Sequence, residues 1–140
     1  MIRQIQKEDY NKGFLNLINI FTRDPIEKSY EDFCEILNLI NSQGSEIYVI
    51  EEDGIIVSTA KVIFEPKLHN NFAKMGHIED VVTIPAYRGH GYASLLIKKI
   101  LERCKEEKCY KVILTSNIIN IPFYKKNGFI EKGTELTIYL

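Results

Sequence analysis

The chain has few cysteines, no strong charge of either sign and no long apolar run. Each absence removes a class of function. Cys34, Cys104 and Cys109 are an odd set, and the last two lie five apart with no histidine near them, which leaves no metal-ligand spacing. Cys34 and Cys104 fall in helical patterns, so the expectation is reduced, packed thiols in a cytoplasmic protein, with no metal. Lys and Arg number 18 against 19 Asp and Glu, a formal charge of −1. A nucleic-acid surface would need a clear basic excess, so no nucleic-acid partner is expected. No apolar stretch reaches the roughly 18 residues that span a bilayer. Met1 to Glu8 lacks the apolar centre of a signal peptide. Repeats, low-complexity tracts and linkers are missing too, so residues 1–140 read as one domain. A hydrophobic content of 45% suits an ordinary globular core.

What is present is a sequence of well-marked elements. Ile2 to Ile5 alternates as a short strand. Asp9 is placed to cap a helix carrying Phe14, Leu17, Ile18 and Phe21. Ser29 with Asp32 resembles a capping box opening a helix that buries Phe33, Ile36, Leu37 and Ile40. Strands Ile47–Ile50 and Ile55–Phe64 flank Glu52-Asp53-Gly54, and Asp-Gly favours a tight hairpin. Pro66 to Gly76 reads as a loop, and His77 to Ile84 as a strand stopped by Pro85. Tyr92 to Lys108 has the clearest helical period, with Ala93, Leu96, Ile97, Ile100, Leu101 and Cys104 on one face. Tyr110 to Thr115 reads as a strand with a buried centre. Asn120 would cap a short helix ending at Gly128. Phe129–Lys132 and Thr134–Leu140 read as closing strands. The order β-α-α-β-β-β-α-β-α-β-β predicts an α/β (α+β mixed) fold: a mixed, mostly antiparallel sheet flanked by helices, with a parallel crossover through the long helix.

Arg88-Gly89-His90-Gly91-Tyr92-Ala93 joins strand to helix. Amides in such a turn have no intrahelical partners, and two glycines let an anion approach the backbone closely. These residues fit the Arg/Gln-x-x-Gly-x-Gly/Ala signature, and Asn120 to Phe129 resembles the Asn…Phe-Tyr…Gly-Phe segment, of the GNAT superfamily of N-acetyltransferases. Gly76-His77-Ile78-Glu79-Asp80-Val81-Val82 and Cys109-Tyr110-Lys111-Val112-Ile113-Leu114 resemble, more narrowly, the branch that acetylates glucosamine 6-phosphate. The resemblance implies the GNAT fold and acetyl-CoA as co-substrate. It also implies direct attack in a ternary complex, a place in UDP-N-acetylglucosamine synthesis, and a homodimer whose C-terminal strand enters the partner's site.

The resemblance further implies roles by position. Acetyl-CoA would contact Val81, Val82 and Thr83, the turn Arg88, Gly89, His90, Gly91, Tyr92, Ala93 and Ser94, and Asn120, Tyr124, Lys125 and Lys126. An amide of Val81 or Val82 would stabilise the thioester oxygen as charge develops there. Tyr124 would protonate the leaving thiolate, its phenol having a reference pKa of about 10; a tyrosine at helical spacing is otherwise a core aromatic. Thr22, Lys67, Leu68, His69, Asn70, Glu79, Asp80, Val81, Tyr110, Lys111 and Thr115 would line the amino-sugar phosphate site. Adjacent strand residues point to opposite faces, so Glu79 and Asp80 are expected on opposite faces, either in salt bridges or on the substrate. Lys111 reads either as a phosphate ligand or as a solvated strand end. Asn120 also reads as a helix cap. His69, His77 and His90 read as surface or packing residues, and His77 has no evident partner.

Two positions depart from the family pattern. Thr115 stands where an acid is common, and its carbonyl would orient the amine in that acid's place. Tyr139, followed by Leu140, stands where a basic residue reaches the neighbouring subunit's phosphate. Either Lys111 and Lys67 hold the phosphate here or the substrate differs. An acetyltransferase for another small amine or a protein N-terminus, and a non-catalytic acetyl-CoA-binding homologue, are the alternatives.

Overall fold

A computed structural model describes residues 1–140. The strands are β1 (Ile2–Gln4), β2 (Ser45–Glu52), β3 (Ile55–Pro66), β4 (Lys74–Thr83) and β5 (Cys109–Ile113). The helices are α1 (Phe14–Ile18), α2 (Tyr30–Ser42), α3 (Tyr92–Glu106) and α4 (Ile121–Lys126). The sheet runs β1-β2-β3-β4-β5 and is antiparallel except for the parallel β4–β5 pair. The expected mixed sheet and parallel crossover are therefore present.

Both faces of the sheet are covered. Alternation along β2 sends Tyr48 and Ile50 to α3, where they meet Leu96, Ile97, Ile100 and Cys104. Ile47 and Val49 face the other way, against Phe14 and Leu17 of α1 and Phe33 and Leu37 of α2. Ile36 is exposed instead of buried, and Ile40 only packs at the cluster's edge. The Ser29–Asp32 box forms as expected, each side chain bonding the other's backbone amide. Asp53 (φ 50°) and Gly54 (φ 79°) are both left-handed, as the tightest hairpin turn requires.

The first helix differs from expectation. Asp9 caps no α-helix; it sits within a 3₁₀ turn (Lys7–Lys12), and α1 starts from left-handed Gly13. The Asp9 carboxylate is fully buried, accepting 2.7 Å bonds from both terminal nitrogens of Arg3 and one from the Gln6 amide at 2.8 Å. Arg3 also binds Glu51 at 2.6 Å, which Lys12 reaches at 2.9 Å. An acid meant for a cap has become the buried anchor of β1.

The third and fourth strands are longer at their loop ends than the sequence suggests: β3 reaches Pro66 and β4 starts at Lys74. In β4, Gly76 faces α3, where a Cβ would stand 2.7 Å from Cys104 Sγ. The three cysteines are free, and burial pushes the Cys104 thiol up to about 12. Strand β5 is less buried than expected, with Val112 half-covered and Lys111 and Ile113 exposed.

Neither closing strand forms within the chain. Residues 130–140 lie outside any strand and are exposed, Leu136 and Ile138 included. An alternating apolar segment becomes a strand only where a neighbouring edge accepts its hydrogen bonds, and residues 130–140 pair with no strand, the outer edge of β5 included.

Arg3→Met should strand the Asp9 carboxylate in the interior. The expected loss is about 3–5 kcal/mol of folding stability, read from urea unfolding followed by circular dichroism.

Candidate active site

At the end of β4, Pro85 halts the strand and opens a 3₁₀ turn (Pro85–Tyr87) that leads into Arg88–Gly91. Gly89 (φ 82°) and Gly91 (φ 81°) adopt a conformation that strains any other residue, and a Cβ on either would point into open space. Gly91 precedes α3 without any side-chain cap, and the helical ladder begins with Leu95 N–H donating to the Gly91 carbonyl at 3.1 Å. The first amides of α3, from Tyr92 to Ser94, are thus left without helical acceptors, at the positive end of a 15-residue helix. This cradle suits an anion. The His90 ring braces it, Nδ1 donating to the Tyr87 carbonyl at 3.0 Å while the ring stacks on Tyr92 at 5.8 Å. Arg88 Nε donates to the Thr83 carbonyl at 3.1 Å, tying the turn to β4.

The second motif comes to rest beside the first. Helix α4 begins at Ile121-Pro122 and ends before left-handed Gly128. Asn120 occupies the position preceding α4, but its side chain makes no capping bond; Pro122 supplies the start. Asn127, which the sequence reading did not single out, joins the two motifs: its amide donates to the Phe123 carbonyl at 2.9 Å and to Ser94 Oγ at 3.3 Å. A groove of about 670 Å³ runs between α3 and α4, with Ser94, Lys98, Lys126 and Asn127 in its wall. Lys98, on the polar side of α3, carries no motif that would single it out in the sequence. Lys125 turns away to Glu131 at 2.7 Å. Tyr124 lies edge-on to Phe123 (5.0 Å) and Phe129 (6.0 Å) against the α3 core. Burial raises the pKa of its phenol, so the hydroxyl stays a proton donor through neutral pH.

Between these parts the sheet opens. Strands β4 and β5 pair only from Lys74–Cys109 to His77–Ile113, and β4 then continues to Thr83 against β3 alone. Val81, Val82 and Thr83 lie on this freed stretch. Thr83 Oγ1 meets Ser58 Oγ at 2.8 Å, and Ser58 donates to the Val82 carbonyl at 3.2 Å. The register between β3 and β4 slips here: Thr59 opposes Val82 and Lys61 opposes Glu79, so Asp80 and Val81 together face Ala60. Asp80 is left-handed (φ 54°), the mark of a bulge. The bulge breaks the alternation that would separate the acids. Glu79 and Asp80 are both exposed, and Asp80 pairs with Lys61 at 3.0 Å.

The remaining candidates fall into one group and two isolated residues. Tyr110 meets the His69 ring at 5.9 Å, Asn70 bonds His69 at 2.6 Å, and Lys111 lies over Tyr110 at 5.6 Å. Lys67 binds Glu65 at 2.7 Å, and Glu65 also holds His77 at 2.6 Å, so His77 does have a partner. Leu68 is exposed in the same loop. Thr115 follows β5, exposed. Thr22 hydrogen-bonds within its own loop, to the Asp24 carbonyl at 2.8 Å, and is not brought to the others by any bond.

Comparison with known proteins agrees with this geometry. The model of the "Acetyltransferase (GNAT) family" matches residues 2–129. The glucosamine 6-phosphate N-acetyltransferase of Arabidopsis thaliana is 35% identical over 99% of this chain and 95% of its own length. That of Trypanosoma brucei brucei is 40% identical over 91% of this chain and 87% of its own. The crystal structure of the Arabidopsis thaliana enzyme superposes with a TM-score of 0.94 at 34% identity, covering 99% of this chain and 97% of that one. With its strand-to-helix glycine turn, its parted strands and these relatives in agreement, the chain belongs to the acetyltransferase (GNAT) family.

Proposed function

We propose that the protein transfers the acetyl group of acetyl-CoA to the amine of D-glucosamine 6-phosphate, giving N-acetylglucosamine 6-phosphate for UDP-N-acetylglucosamine synthesis. The observation that supports the reaction type is the presence in one chain of three features: uncapped α3 amides, the point where β4 loses β5, and a half-buried tyrosine packed against the α3 core. The acceptor rests on the relatives, which match this chain nearly end to end and bear that substrate in their names.

Each part then has a task. The Arg88–Ser94 amides hold the pyrophosphate of acetyl-CoA, and Lys126 and Lys98 line the adjoining groove. The freed edge of β4 at Val81–Thr83 takes the pantetheine arm as an added half-strand, an amide there receiving the charge that develops on the thioester oxygen. Glu79, Asp80 and the Thr115 carbonyl orient the sugar and its amine. The amine nitrogen bonds to the acetyl carbon as the carbon–sulfur bond breaks. Tyr124 delivers a proton to the departing sulfur, and the proton lost by the amine restores the balance. Lys111 and Lys67, beside Tyr110 and His69, supply the positive charge for the sugar phosphate. Residues 1–140 act as a single catalytic domain, a cytoplasmic one, consistent with free thiols and with no helix long and apolar enough to cross a membrane.

The exposed segment 130–140 supports a homodimer. Its apolar residues Ile130, Leu136, Ile138 and Tyr139 alternate with polar ones in part and cover nothing within their own chain. Paired with a second copy, the segment gains the ladder it lacks and brings Tyr139 to the partner's sugar site. Deleting residues 130–140 should convert a dimer into a monomer in sedimentation velocity while the far-ultraviolet circular dichroism keeps its α/β form.

Thiol release from acetyl-CoA, measured against glucosamine 6-phosphate, glucosamine, polyamines and peptides, tests the acceptor. Release with glucosamine 6-phosphate is expected; release only with another amine would replace it, and binding without release would make the protein a non-catalytic homologue.

Tyr124→Phe should lower kcat by about 10²-fold, with the KM for acetyl-CoA unchanged within about twofold. In the unsubstituted enzyme, the raised phenol pKa keeps the acid form present, so kcat should show no alkaline fall below about pH 10.

A further inference from the structure

The acid pair of β4 carries its own counter-ion on β3. Lys61 stands opposite Glu79 in the ladder, and its Nζ meets Asp80 Oδ2 at 3.0 Å. Its side chain is the more covered of the ion pair, 22% exposed against 48% for Asp80. The neighbour of Lys61 on β2 is uncharged Ile47. On β4 the charged or titratable groups facing it are Glu79, Asp80 and, two ladder positions away opposite Ile63, His77, whose ring is held by Glu65. Glu79 forms no ion pair of its own. Because of the bulge, the lysine that stands opposite Glu79 in the ladder pairs with its neighbour Asp80.

We propose that Lys61 is a positioning residue of the acceptor site: it fixes Asp80 and biases the bound amine toward its neutral, nucleophilic form. This rests on the reading that Glu79 and Asp80 receive the amino sugar. Two unopposed carboxylates stabilise an ammonium and raise its pKa, which suits binding but stops attack. A fixed cation offsets one of those charges and works against the arriving ammonium directly. Binding at the acids and reactivity of the amine are conflicting demands, and Lys61 sets the balance between them. It also holds the Asp80 carboxylate in one place, so that the acid meets the amine from a fixed position.

The test is the pH dependence of kcat with saturating glucosamine 6-phosphate, which reports ionisations in the ternary complex. Lys61→Met should move the acid limb about one unit toward alkaline pH. That shift appears as roughly tenfold lower kcat near pH 6.5, with recovery by about pH 9. Lys61→Arg should keep the original profile. The KM for acetyl-CoA and the thermal unfolding midpoint of Lys61→Met should stay near the unsubstituted values, which separates this effect from misfolding. An unshifted limb, or a loss equal at every pH, would overturn the role and leave Lys61 as a cross-strand ion pair. An unsubstituted protein that releases no thiol with glucosamine 6-phosphate would overturn the acceptor reading, and this inference with it.

Discussion

Beyond His77, strand β4 has a neighbour on one side only, and the candidate site grows from that single constraint. Backbone N–H and C=O groups must be bonded somewhere, and a strand that loses its partner in mid-sheet presents them to whatever enters the gap. Here β5 ends at Ile113, while β4 runs on to Thr83 and then turns into α3. The freed edge therefore leads straight to the uncapped helix end. An extended ligand with an anionic tail fits both features at once, which neither feature would select alone.

The gap persists because its walls are held elsewhere. Helix α3 is pinned along the sheet by four fully buried side chains and, at its far end, by Arg103, which forks onto Glu46 at 2.7 and 3.0 Å. That guanidinium holds the Glu46 carboxyl below the usual carboxylate range, and Tyr48 donates to the same acid at 2.6 Å. Lys74 reaches Glu107 at 2.5 Å, closing the end of the sheet where β4 and β5 do pair. Gly76 lets Cys104 pack against β4 at that same end. Tight packing below and an open fork above are two parts of one device: the closed end sets the angle, and the bulge at Asp80–Val81 turns β4 at the open end.

That bulge also decides the electrostatics. In a regular strand Ile78 and Val82 would share a face, yet Ile78 packs toward α3 and Val82 toward α1 and α2. The extra residue inverts the alternation and exposes both acids beside Lys61. This stretch of β4 is thus acidic with a built-in counter-charge, and it leads to a turn whose uncapped amides carry partial positive charge. Such a division suits two substrates with opposite requirements, an amine on one side and a diphosphate on the other.

Much of this was legible in the residue order. Periodicity marked α2, β2, β3 and α3, because each buries one face against a core whose spacing is set by backbone geometry. Asp53-Gly54 marked the hairpin, and Gly89 and Gly91 the turn into α3, because few other residues tolerate those backbone angles. Local chemistry reaches only a few residues, and what it missed was non-local. Asp9 looked like a helix cap until Arg3 claimed it across the β1 edge. His77 had no visible partner because Glu65 lies on another strand. Glu79 and Asp80 were assigned to opposite faces, since a bulge depends on how β3 and β4 register. Asn127 and Lys98 gained their places only when α4 docked on α3. The closing strands, read from apolar alternation, did not form within the chain, because alternation states which face would be buried and says nothing of whether the segment docks on an edge. The order of residues determined the elements and the glycine turn into α3, through periodicity and backbone sterics. The tertiary fold decided the ion pairs, the fork and the acid–lysine cluster, because each needs groups that are distant in sequence to meet within bonding range.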